Sequence, residues 1–155
     1  VHHHGFLWAG PKARFDEEAL RRPPHPEPPG AGSKPELVQR YREVAAGFAE
    51  ADLPPLETAY WLVKPRPLVR GTWDEAKEAA VWLSEQLAEH APRFAAGTER
   101  DIARLASVVD SAAARLESGT DVSLGFYLER PSYLSLALVT CSPNRSRPQL
   151  ACPVR

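Results

Sequence analysis

Residues Val122–Thr140, VSLGFYLERPSYLSLALVT, carry the pattern that decides the fold. Val122, Leu124, Phe126 and Leu128 alternate with Ser123, Gly125, Tyr127 and Glu129, which is the period of a half-buried strand. Arg130-Pro131-Ser132 reads as a turn. Tyr133–Thr140 reads as a second strand, with Leu134, Leu136 and Leu138 on one face and Ser135 and Ala137 on the other. Two such runs joined by a short turn predict an antiparallel hairpin. A lone hairpin is marginal in water. It must therefore pack on helices or recruit a third strand, for which Phe6–Trp8 and Ala59–Val63 are the candidates.

Helices are predicted upstream of the hairpin. Ser33-Lys34-Pro35-Glu36 has the form of a capping box with proline in the first turn. The helix it opens runs to about Ala51, with Leu37, Val38, Tyr41, Val44, Ala45 and Phe48 on one stripe. Thr72-Trp73-Asp74-Glu75 has the same form, and its helix runs to about His90, before Pro92. Trp73, Ala76, Ala79, Ala80, Leu83 and Leu87 share one face of it. Thr98 is placed to cap a third helix reaching Glu117, with Ile102, Leu105, Val108, Val109, Ala112, Ala113 and Leu116 as its stripe and Gly119 as its stop. Leu56–Val63 has helical start signals but strand-like content in Thr58, Tyr60, Trp61 and Val63, and the helical reading is preferred.

The rest of the chain is punctuated by proline. Sixteen of the 155 residues are proline, and five of these fall between Pro23 and Pro29, running into Gly30-Ala31-Gly32. That segment reads as a polyproline II spacer followed by a flexible break. Residues 1–32 are accordingly expected to form a flexible Pro-rich arm, 33–141 a single globular domain and 142–155 an irregular basic tail. The expected class is α+β: three to four helices packed with a C-terminal antiparallel hairpin or small sheet, preceded by the arm.

A formal net charge of −1 argues against a general nucleic-acid binder. No apolar run approaches the roughly 18–20 residues that span a bilayer. No secretory leader is visible, and two cysteines do not make a disulfide framework, so a cytoplasmic site with reduced thiols is expected. Fifteen arginines against four lysines, with twenty-three alanines, is a composition that GC-rich codons encode. It resembles that of proteins from GC-rich actinobacteria, which implies a source and no activity. The chain has no methionine; Val1 fits a GTG start, the preferred reading, or else a tagged or processed chain in which His2, His3 and His4 are tag residues.

No catalytic, metal-binding or nucleotide-binding motif rises above chance, and no cofactor or metal is expected. His2-His3-His4 is the densest set of metal-ligating side chains, and a free Val1 amine would place His3 for square-planar Cu(II) or Ni(II). Flexible adjacent histidines bind metal without purpose, so no metal role is assigned to them. Cys141 and Cys152 lie eleven positions apart and do not match the two-to-four spacing of common zinc sites. Lys64, Arg66 and Arg70 precede the Thr72 helix, where they could hold a phosphate, although no glycine-rich cradle accompanies them.

The most distinctive surface is the back of the Thr72 helix. Glu75, Glu78, Glu85 and Glu89 share one sector with Trp82, opposite the alanine and leucine face. A tryptophan amid carboxylates is either covered by another layer or anchors a partner, since tryptophan is enriched at binding hot spots. The leading expectation is a small cytoplasmic interaction or regulatory protein that binds another protein through this face. An immunity- or antitoxin-like inhibitor is a special case. The alternative is an enzyme or ligand binder with a cleft between hairpin and helices, using Cys141, Tyr127, Glu129 and Tyr133.

Overall fold

The computed structural model describes residues 1–155 and is an α+β structure built on one four-stranded antiparallel sheet. The strands are β1 (His2–Pro11), β2 (Gly71–Trp73), β3 (Val122–Tyr127) and β4 (Ser132–Cys141), in the order β2-β1-β4-β3. The main helices are α3 (Pro35–Glu50), α4 (Ala76–His90) and α5 (Ile102–Glu117), preceded by the single-turn helices α1 (Lys12–Phe15) and α2 (Glu18–Arg21). No helix is long and apolar enough to cross a membrane.

The hairpin forms as its alternation requires, with Val122 opposite Leu138, Leu124 opposite Leu136 and Phe126 opposite Leu134. Gly125 lets it close: a Cβ there would collide with the Tyr133 hydroxyl. The third strand comes from the N-terminus. β1 pairs with β4 along its whole length, from His2 opposite Cys141 to Pro11 opposite Ser132. The expected flexible Pro-rich arm is therefore corrected: residues 2–11 are a central strand. Pro11 ends β1, so its missing N–H costs the ladder nothing. The proline segment that follows is an internal connector, to which the Tyr41 hydroxyl donates a 2.6 Å hydrogen bond at the His25 carbonyl.

The two faces of the sheet are covered differently. On one, α4 and α5 bury Leu83, Leu87 and Leu116 against Leu134, Leu136 and Leu138, and Phe94 stacks on Phe126 with ring centres 4.4 Å apart. On the other, Phe6, Trp8, Ala137, Val139 and Cys141 are covered by Leu53, Trp61 and Leu62, with Phe6 stacked on Trp61 at 4.7 Å. Trp61 and Leu62 lie in a 3-10 turn, Thr58–Val63, so this segment is neither the regular helix nor the strand that its composition allowed. Burial on both faces explains why β4 shows no polar face beyond Ser135 and Thr140. Each fully buried leucine stabilises the fold by roughly 1.5–3 kcal/mol relative to exposure.

Helix ends also depart from their sequence signals. α3 starts after Lys34 and α4 after Glu75, neither with a side-chain cap. Thr72 is taken into β2, opposite His4, and so cannot cap α4. Asp101, not Thr98, caps α5, accepting the Arg104 N–H at 3.0 Å. Gly119, at φ +82°, turns the chain after α5 into the left-handed region that glycine enters without steric penalty.

Candidate metal centre

Successive side chains of a strand point to opposite faces, so β1 sends His2 and His4 to one side of the sheet and His3 to the other. The β1–β4 register puts His2 directly across from Cys141, the last residue of β4. Both histidines and Cys141 therefore meet at one end of the face covered by Trp61 and Leu62. The chain after β4 then turns back and adds Cys152.

The four side chains converge tightly. His2 Nε2 and His4 Nε2 are 3.1 Å apart, and Cys152 Sγ is 3.4 Å from His2 Nε2 and 3.5 Å from His4 Nε2. One ligand atom from each of His2, His4, Cys141 and Cys152 lies within 4.8 Å of all the others. A tetrahedral ion with Zn–N near 2.05 Å and Zn–S near 2.3 Å separates its ligands by about 3.3–3.8 Å. The separations among His2, His4 and Cys152 are close to those of that ion, and Cys141 lies within 4.8 Å of all three. Two imidazole nitrogens and two sulfurs also form the donor set that a borderline-soft, tetrahedral ion selects.

Neighbouring groups hold these ligands in place. His4 Nδ1 lies 2.8 Å from Thr72 Oγ1, its partner across the β1–β2 ladder. With Nδ1–H donated to the hydroxyl, the lone pair resides on Nε2 and faces the cluster, as is usual for metal-bound histidine. The turn that returns Cys152 is fixed by Asn144, which is fully buried. Its Nδ2 donates to the Thr140 carbonyl at 2.8 Å and to both Asp121 carboxylate oxygens. Its Oδ1 accepts the N–H groups of Ser146 and Arg147. Arg147 then pairs with Glu57.

Burial sets the protonation of the site. It lowers the pKa of His2 and His4, with the Arg155 charge acting in the same direction, and brings His4 to about 4. Both rings are then neutral, the form that binds metal. Burial pushes the Cys141 thiol up, opposed by its contact with the Ser142 hydroxyl and reinforced by Cys152. A bound cation reverses that preference and holds coordinating sulfur as thiolate.

The sequence offered these four residues but not their union. Histidines two apart on a strand share a face as surely as cysteines at helical or turn spacing. The useful signal was H-x-H within a strand, and it was hidden because His2–His4 read as part of an arm. His3 goes elsewhere, with Nδ1 3.0 Å from Thr140 Oγ1 on the opposite face.

The other candidate residues are dispersed. Trp82 is half-buried with its ring 5.4 Å from that of Trp73, while Glu75, Glu78, Glu85 and Glu89 are exposed. Tyr127 and Tyr133 pack together at 5.1 Å, and Glu129 pairs with Arg93. Cys141 is about 26 Å along β4 from Tyr133 at the usual rise per residue, so these residues line no common cleft. Lys64 is buried and donates to the Phe48 carbonyl at 2.6 Å rather than facing a phosphate. An apolar groove of about 460 Å³ lies between α4 and α5, lined in part by Leu87, Ala91, Ile102 and Leu105, and it holds no cysteine or histidine. Comparison of the chain with models of known protein families, with curated proteins and with solved structures finds no match.

Proposed function

We propose that this chain is a metal-binding protein whose Zn(II)-class ion is held by His2, His4, Cys141 and Cys152. The observation that carries the reading is the convergence, within 4.8 Å, of four ligand atoms from β1, the end of β4 and the C-terminal tail. Four protein ligands complete a tetrahedron and leave no position for a substrate, which is the arrangement of a structural site. The ion would fasten the tail to two central strands.

Protein purified under reducing conditions and loaded with zinc should retain one ion per chain after desalting. Cobalt in its place should show the absorption of a tetrahedral thiolate complex. His4→Ala and Cys152→Ser should each weaken binding by more than tenfold, since supporting groups alone are worth about 10–100-fold. Retention of stoichiometric zinc by the combined His4→Ala and Cys152→Ser variant, or no retention by the wild type, would refute the site.

Partner binding through α4 is a second reading. It is favoured by the exposure of Val81, at 58%, beside four glutamates that make no ion pair. Trp82→Ala with Glu85→Lys should preserve the fold and weaken partner capture. Severe unfolding with capture unchanged would make Trp82 a packing residue only.

A further inference from the structure

The two sulfur ligands differ in exposure and attachment. Cys141 is 0% exposed and sits in the β4 ladder, whereas Cys152 is half-buried on irregular chain. Beyond Arg147 the only main-chain hydrogen bond is Leu150 N–H to the Arg147 carbonyl at 3.1 Å, and no ion pair holds that segment. The sulfurs lie within 4.8 Å of each other, and a disulfide requires about 2 Å. Movement of the tail alone can close the difference.

We propose that Cys141 and Cys152 form a hydroperoxide-responsive pair, oxidised to a disulfide with release of the metal ion. This inference rests on the metal reading above. Cys152, the less buried and more loosely attached of the two cysteines, attacks the terminal oxygen of the hydroperoxide. The O–O bond breaks, the leaving hydroxide (alkoxide for an organic hydroperoxide) takes a proton and departs as water or alcohol, and Cys152 becomes a sulfenic acid. The Cys141 sulfur then attacks the Cys152 sulfur. The S–O bond breaks, hydroxide leaves as water after protonation, and the S–S bond forms. The two electrons given up by the sulfurs reduce the hydroperoxide. His2 and His4 remain as the only ligands, and two imidazoles are too few to retain the ion.

The test uses the full chain, reduced and loaded with zinc, treated with hydrogen peroxide in the presence of a chromogenic zinc chelator. Zinc should appear in step with a mass loss of two hydrogens per chain and with protection of both cysteines from alkylation. Dithiothreitol should reverse all three. Cys141→Ser should lose no hydrogens and should accumulate a sulfenic acid at Cys152 that dimedone traps. Cys152→Ser should leave Cys141 reacting about tenfold more slowly, or less, because its sulfur is enclosed. Stoichiometric zinc followed by separate oxidation of the two sulfurs, or by none, would overturn the switch and leave the metal reading standing. A chain that takes up no zinc fails at the loading step, before peroxide is added, and overturns both.

Discussion

Lys64 is buried without a carboxylate against it. Its ammonium donates to the Phe48 carbonyl in the last turn of α3 and lies 4.0 Å above the Phe48 ring. The helix C-terminus and the aromatic face both favour the cation. Burial outweighs them, and Asp52 offsets it only in part, so the pKa falls from 10.5 to about 8. The folded value lies below the unfolded one. Between pH 8 and 10.5 the unfolded chain therefore binds more protons, and stability rises with pH across that window. Below pH 8 the full burial penalty of the cation is present. Lys64→Met removes this dependence, while other groups titrate alike in both proteins. From pH 7.5 to 10 the wild type should gain about 2 kcal/mol relative to Lys64→Met in urea unfolding. Parallel stability profiles would mean that Lys64 reaches water. At this scale the sequence was least informative. Lys64 read as part of a rigid proline connector that, with Arg66 and Arg70, could hold a phosphate, because nothing local reveals that the end of α3, sixteen residues away, lies against it. His2 and Cys152 are separated by 150 residues, and no spacing rule reaches that far.

Elements were legible where one periodicity dominated. The β3–β4 hairpin followed from strict alternation, and the spans of α3, α4 and α5 from their apolar stripes. β1 was legible only as the short candidate strand Phe6–Trp8, because a central strand covered on both faces loses its alternation and its polar residues face a site rather than solvent. The capping boxes misled for a related reason: Thr72 had a stronger use in β2, supporting His4. The same sheet makes a prediction. Leu136 lies between Leu7 and Leu124 across three strands and is fully buried beneath the helices. Leu136→Ala should cost about 2–5 kcal/mol, because neighbours fixed by two ladders cannot collapse into the space. Leu37→Ala, at the exposed N-terminal end of the α3 stripe, should stay within about 0.5 kcal/mol. Urea midpoints at constant m-value measure both. Equal effects would show that α3 belongs to the core as fully as the sheet does.

One face of the sheet is covered by the long helices α4 and α5, the other chiefly by 3-10 turns and irregular chain, with α1 and the end of α3 at its margin. The first is stabilised by its own leucine-rich core. The second has a smaller cluster, and the proposed ion sits at its edge, joining the start of β1, the end of β4 and the returning tail. Metal that binds only the folded chain at about 100 times its dissociation constant adds about 2.7 kcal/mol. For a domain of this size that corresponds to about 5–10 °C in melting temperature. Zinc-loaded protein stripped by a chelator under reducing conditions should therefore melt that much lower. Because α4 and α5 hold their side of the sheet without the ion, far-UV circular dichroism at 25 °C should barely change. Limited proteolysis with chymotrypsin should cut the stripped protein first beyond Arg147, at Leu150, where the ordered turn ends and the metal supplied the remaining attachment. An unchanged melting temperature, together with a tail equally resistant in both forms, would show that packing alone secures the C-terminus and that the four ligands converge without binding an ion.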